Sequence, residues 1–123
     1  MAALAAPAAA QTNWGPSRPV EFIVTAGAGG GTDIFTRTVQ SIIQKHNLLP
    51  EPIVVLIKPG GSGAEGYVYT WLAEGEAHKL VFGTHNSYVL PLAAKVAFTH
   101  NDLTPLAAMA FDEFLLWVKA DSP

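Results

Sequence analysis

The 123-residue chain contains no cysteine, which rules out a disulfide framework and thiolate metal chemistry. Charge is sparse as well. Asp, Glu, Lys and Arg make up 14% of the residues with a formal net charge of −3, so no basic face is available to attract a nucleic acid. The four histidines, His46, His78, His85 and His100, show none of the pair spacings of a zinc site, and no metal is expected. No segment approaches the ~20 apolar residues of a transmembrane helix. Two nucleotide signatures are missing too. The phosphate-loop ending Gly-Lys-Ser/Thr occurs nowhere. A dinucleotide fingerprint beginning at Gly27 and Gly29 meets Thr32 where a third glycine is required, and Lys58, not an acid, follows the next apolar run. No cofactor is therefore expected. A hydrophobic share of 50% is enough to build the core of one domain.

Glycine is what the chain has, and it is clustered. From Glu21 to Asp33 a β-branched and aromatic run stops at Gly27, Gly29, Gly30 and Gly31 before an amphipathic stretch begins, the pattern of strand, bare loop and helix start. Without a Cβ such a loop can take φ > 0 and let a ligand approach its N–H groups. Those donors sit at a helix N-terminus, where a carboxylate or phosphate is favoured. The arrangement repeats. Ile53 to Ile57 leads into Lys58 to Gly66, and Leu80 to Phe82 leads into Gly83 to Ser87. Three β-to-α loops of one design imply one site, because ligands of open α/β sheets bind outside the carboxyl ends of parallel strands.

Helical spacing of Phe35, Val39, Ile42, Ile43 and His46 predicts a helix over 34–47 with one apolar face on a sheet. A second is predicted over 64–73. A third is predicted around 89–96, with Pro91 in its first turn. The apolar segments Leu106 to Ala110 and Phe114 to Lys119 read as strands, the latter central and buried. Alternating strands and helices predict an α/β fold with a largely parallel sheet and flanking helices.

Four motifs in register, Gly-Gly-Gly-Thr-Asp (29–33), Lys-Pro-Gly-Gly-Ser-Gly (58–63), Gly-Thr before Asn86, and Asn-Asp-Leu-Thr-Pro-Leu-Ala (101–107), resemble the N-terminal part of the Bug-type periplasmic receptors of tripartite tricarboxylate transporters. The resemblance covers about Pro16 to Pro123. It implies the first lobe of a hinged type II periplasmic binding protein, here incomplete, which captures a small organic carboxylate (a di- or tricarboxylate, an amino acid or an aromatic acid) and delivers it to membrane permease subunits. In that family the ligand carboxylate is held largely by loop amides and ordered water. Carried over residue by residue, the ligand-binding set is Gly29, Gly30, Gly31, Thr32 and Asp33, then Ser62 and Gly63, then Thr84, His85 and Asn86. The first loop here has Ala26, Gly27 and Ala28 where the family often carries an aromatic and prolines, and the second begins Ile57-Lys58-Pro59 where the family usually has Asn-Arg-Pro.

The resemblance implies three regions: 1–15 as a signal-peptide remnant or disordered N-terminus, 16–110 as the solute-binding lobe, and 111–123 as the start of a crossover to a second lobe. Ala8-Ala9-Ala10 fits a signal cleavage pattern although the basic start is missing, and a periplasmic location is expected. A lobe without its partner segments predicts an unpaired sheet edge and an exposed apolar run. Two other classes stay in view. One is a small α/β hydrolase with Ser62 as nucleophile and His85 and Asp33 as partners, one residue short of the Gly-x-Ser-x-Gly elbow because Ala64 stands where glycine is needed. The other is a nonfunctional remnant.

Overall fold

β-branched residues and Phe22 fill β1 (Val20–Val24), which is followed by α1 (Gly31–Lys45), β2 (Ile53–Ile57), α2 (Ala64–Trp71), β3 (Lys79–Phe82), α3 (Asn86–Ala93) and a 3₁₀ turn at His100–Asp102. The computed structural model describes residues 15–111 and 115–122. Its sheet is parallel with strand order β2-β1-β3. The α/β expectation is met. Val24 pairs with both Ile57 and Phe82, so the three strands end level.

Alternation along β1 sends successive side chains to opposite faces of the sheet. Val20 and Phe22 join Ile53 in one core cluster, onto which Val39 and Ile43 of α1 pack together with Leu80 and Phe82. Phe82 contacts Phe22 at 4.8 Å and Phe35 at 6.3 Å between ring centroids. Phe35, Val39 and Ile43 form an i, i+4, i+8 stripe. Ile42 and His46, expected on the same face, are exposed. α1 lies chiefly on β1 and β2, and its Phe35 reaches Phe82 of β3.

Ile23 and Thr25 point the other way, toward α2. A Cβ added at Gly66 would come within 2.9 Å of Thr25 Cγ2 and 3.3 Å of Ile23 Cγ2, so α2 lies on β1 at glycine distance. Beside it Tyr67, buried, packs on buried Phe98 with ring centroids 5.0 Å apart. Helices thus cover both faces of the central strand. On the α2 face Glu21 accepts from Tyr69 Oη at 2.8 Å and from Lys79 Nζ at 2.5 Å, while Lys79 also donates to Tyr69 Oη at 2.6 Å. The Lys79 ammonium and the Tyr69 hydroxyl hold the Glu21 carboxyl below its ordinary range against the opposing effect of burial. Burial pulls Lys79 down, but its bonds to Glu21 and Tyr69 outweigh that and leave it raised.

Three expectations are corrected. Pro91 lies in the second turn of α3, which begins at Asn86 directly after the third loop. Lacking an N–H, it forgoes one helical bond, and the helix ends two residues later. Leu106 to Ala110 is no strand, and neither is 115–119; both are exposed, and Phe114 lies outside the described residues. Apolar content without alternation does not specify a strand unless a neighbour offers a ladder. β2 and β3 each leave one edge unpaired, and no described segment occupies it.

Gly66→Val is expected to lower stability by about 1–3 kcal/mol through overpacking against Thr25 and Ile23, measured by urea denaturation. Glu21→Gln should cost about 1–2 kcal/mol at neutral pH by removing a charged acceptor. Because the folded pKa of Glu21 is lowered, that difference is present above about pH 4.3 and closes as pH falls through the folded value. The raised pKa of Lys79 keeps its contribution intact to about pH 10.4, with loss only above that as pH rises through the folded value. Denaturation of both proteins between pH 3 and 7 checks the sign.

Candidate functional site

Since the strands end level, their three outgoing loops begin side by side at the carboxyl edge of the sheet. The chain leaves β1 for β2 on one side and returns across β1 to β3 on the other. The β1/β3 boundary is therefore the topological switch point, where open α/β sheets place ligands.

In the first loop the left-handed conformation falls at Gly29 (φ +76). Gly30 is the N-cap of α1 with an extended backbone, φ −73 and ψ 166. The Gly29 N–H donates to Asp33 Oδ2 at 2.8 Å, and the Gly30 N–H to the Gly27 carbonyl at 3.1 Å. Both amides are thus engaged inside the loop. The N–H groups of Gly31, Thr32 and Asp33, the first three of α1, find no acceptor among the described residues. Asp33 is 4% exposed, and its Oδ1 accepts from Arg37 Nε at 2.7 Å.

The second loop is built differently despite a similar composition. Gly63, Ala64 and Glu65 donate their N–H groups to the carbonyls of Pro59, Gly61 and Gly60 at 3.0–3.2 Å, so the start of α2 is saturated from within. Glu65 ties the loop further, accepting from the Gly60 N–H and from Lys58 Nζ at 3.2 Å each. Gly63 (φ +97) is buried, and a Cβ there would stand 2.8 Å from the Thr25 carbonyl. Its absent side chain admits the end of β1. Ser62 is exposed and left-handed at φ +58.

The third loop is fastened by Tyr67, whose hydroxyl lies 3.2 Å from the Thr84 N–H and 3.4 Å from the Thr84 carbonyl. Gly83 makes room, since a Cβ there would sit 2.5 Å from that oxygen. Asn86 Nδ2 donates to the Ser62 carbonyl at 3.2 Å and joins the third loop to the second. Thr25 Oγ1 donates to the Phe82 carbonyl at 3.2 Å, joining the ends of β1 and β3. His85 is exposed at the N-cap of α3.

Ser62, Gly63, Thr84, His85 and Asn86 are therefore brought together around Tyr67 and Thr25. Gly29 to Asp33 stand at the neighbouring end of β1, with no hydrogen bond to the other two loops among the described residues. Sequence reasoning missed Thr25, Tyr67, Gly83 and Arg37. The strand-loop boundary at Thr25 and Gly83 was visible; the tyrosine that reaches from α2 into the next loop was not. The Asp33 carboxylate is occupied by Gly29 and Arg37, an arrangement that does not orient His85 as a triad acid would. No group of His, Asp and Glu among the described residues is suited to hold a metal. A groove of about 310 Å³ lies apart from the three loops, between α3 and the 3₁₀ turn, and is lined by Tyr88, Pro91, Leu92, Thr99, His100 and Asn101.

No protein-family model matches the chain. It is 31% identical over 98% of its length to a UPF0065 protein of Bordetella bronchiseptica, and 32% identical over 97% of its length to a UPF0065 protein in the gbd 5′ region of Cupriavidus necator, covering 36% of each. Protein BugT of Bordetella pertussis is 32% identical over 75% of the chain, which covers 26% of BugT. The chain thus spans about a third of the length of these curated relatives. Among solved structures, a ligand-free TctC solute-binding protein from Polaromonas superposes with a TM-score of 0.60 at 36% identity, over 70% of this chain and 29% of that one. By sequence and by fold, over the stretch it spans, the chain is similar to part of the Bug/TctC-type solute-binding proteins.

Proposed function

We propose that the chain forms the first lobe of a periplasmic receptor that binds a small organic carboxylate and presents it to the permease of a tripartite tricarboxylate-type transporter, without catalysis. One observation carries this reading: the three first-turn amides of α1, at Gly31, Thr32 and Asp33, carry no protein acceptor among the described residues, beside the switch point of the sheet. Unpaired N–H groups at the positive end of a 15-residue helix suit an anion. Ser62, Thr84, His85 and Asn86 supply polar groups on the neighbouring loops, a donor set fit to orient the remainder of a polar acid. The likeness to the TctC solute-binding protein from Polaromonas supports solute binding as the class of function. The region assignment 1–15, 16–110 and 111–123 belongs to the same proposal; residues 1–14 lie outside the described structure.

A hydrolase reading keeps one specific observation in its favour. Ser62 takes φ +58 between a strand and a helix, the backbone strain of a nucleophile elbow. Against it, Ser62 stands five residues beyond the end of β2, and the Asp33 carboxylate is otherwise engaged.

Proline is well accepted at the first position of a helix and removes a single N–H, and the extended ψ of Gly30 suits a following proline. Gly31→Pro is accordingly expected to keep the fold and weaken succinate and citrate binding about tenfold, the effect of one lost hydrogen bond to a charged group. Chemical-shift titration of the amides reads this even for weak binding. Shifts confined to residues away from 31–33, or an unchanged affinity in the variant, would remove the anion site from this helix. Incubation with p-nitrophenyl acetate should show no turnover that depends on Ser62; turnover abolished by Ser62→Ala would establish the hydrolase instead.

A further inference from the structure

Among the described residues Asp33 is the most buried carboxylate at the carboxyl edge of the sheet, and its two oxygens are divided between two partners. Oδ2 receives the Gly29 N–H at 2.8 Å and Oδ1 receives Arg37 Nε at 2.7 Å. An acid at the third helical position ordinarily reaches back to the N–H of the N-cap itself. Here the N-cap is Gly30, and its N–H goes to the Gly27 carbonyl instead. Asp33 reaches one residue further, to Gly29, the left-handed residue of the loop. One carboxylate therefore pins the sharpest bend of the loop to the first turn of the helix. Gly27, Ala28 and Gly29 are exposed, and no described residue packs over them to hold that bend.

The pin introduces a difficulty. A carboxylate whose side chain is 5% exposed places a negative charge beside the three amides meant for an anion. Left alone, such a charge is costly to bury, and it would repel an acidic ligand. Arg37, one turn along α1 and half exposed, meets it with a charge-assisted bond.

Resting on the proposed anion site, we infer that the Asp33 side chain is a positioning group and not a ligand contact: it sets the Gly29 bend that aims the Gly31 to Asp33 amides outward, and Arg37 is the counter-ion that makes its charge tolerable to an acidic ligand. Thr36 supports the same turn, donating from Oγ1 to the Thr32 carbonyl at 2.7 Å. The inference differs from a recognition role for Asp33, in which its carboxylate would read an amino or hydroxyl group on the ligand.

Amide hydrogen exchange of the ligand-free chain tests the pin without any ligand. Asp33→Ala should speed exchange at Gly29 at least tenfold while the amides of β1 keep their protection. Unchanged protection at Gly29 would overturn the inference. Should that variant fail to fold, Asp33→Asn, whose single oxygen cannot serve both partners, should move the Gly29 amide proton upfield; an unmoved resonance would count against the pin. Titration with succinate and with glutamate then separates positioning from recognition. Asp33→Ala and Arg37→Met should weaken both acids alike, and Arg37→Lys should recover most of the loss. A loss confined to glutamate would show Asp33 reading the amino group and overturn the positioning role. If the unaltered chain binds neither acid, the carboxylate-receptor reading falls, while the exchange result still decides the pin.

Discussion

Among the described residues β1 alone is paired on both edges and covered on both faces. Its residues Val20, Ile23 and Val24 are at most 2% exposed, and every element that shapes the site is placed by reference to it. α1 lies on its even-numbered side chains and α2 on its odd-numbered ones. The two outer strands hold level with it through the Val24 register. Thr25, the first residue past its end, packs its backbone carbonyl against Gly63, its methyl against Gly66 and its hydroxyl onto β3. A strand buried in this way converts three separate strand-loop-helix units into one edge with three neighbouring loops.

The three loops share a composition and divide the work. Glycine in the first provides one left-handed bend and leaves the helix start bare of acceptors among the described residues. In the second, glycine permits close packing on Thr25, and the helix start is closed by the loop's own carbonyls. Gly83 in the third clears space for the Tyr67 hydroxyl. Glycine is demanded three times for three reasons: backbone conformation, approach of a neighbouring chain, and approach of a side chain. Among the described residues only the first leaves the opening amides of its helix without an acceptor.

Apolar surface is distributed unevenly. Phe111, Leu116 and Trp117 are more than 80% exposed, in the part of the chain beyond the 3₁₀ turn. The chain spans about a third of its curated relatives, and among the described residues the outer edges of β2 and β3 are unpaired.

The positions of β1, β2, β3 and α1 were legible in the sequence because each depends on local pattern: β-branched runs, a glycine stop, and an apolar stripe at helical spacing. The three loops and the class of the family were legible for the same reason, since glycine clusters in order along the chain survive without knowledge of contacts. Which loop amides are free was not legible. Gly29–Gly30–Gly31 and Gly60–Gly61–Gly63 look alike, and their difference lies in carbonyls that turn inward only once each loop is closed. Asp33 could be placed at a helix start, but its bond to Gly29 depends on the left-handed bend. The apolar runs after Leu103 show the limit most plainly. Their composition suits a strand, yet a strand exists only where a neighbour accepts its hydrogen bonds, and that neighbour is a property of the tertiary structure alone.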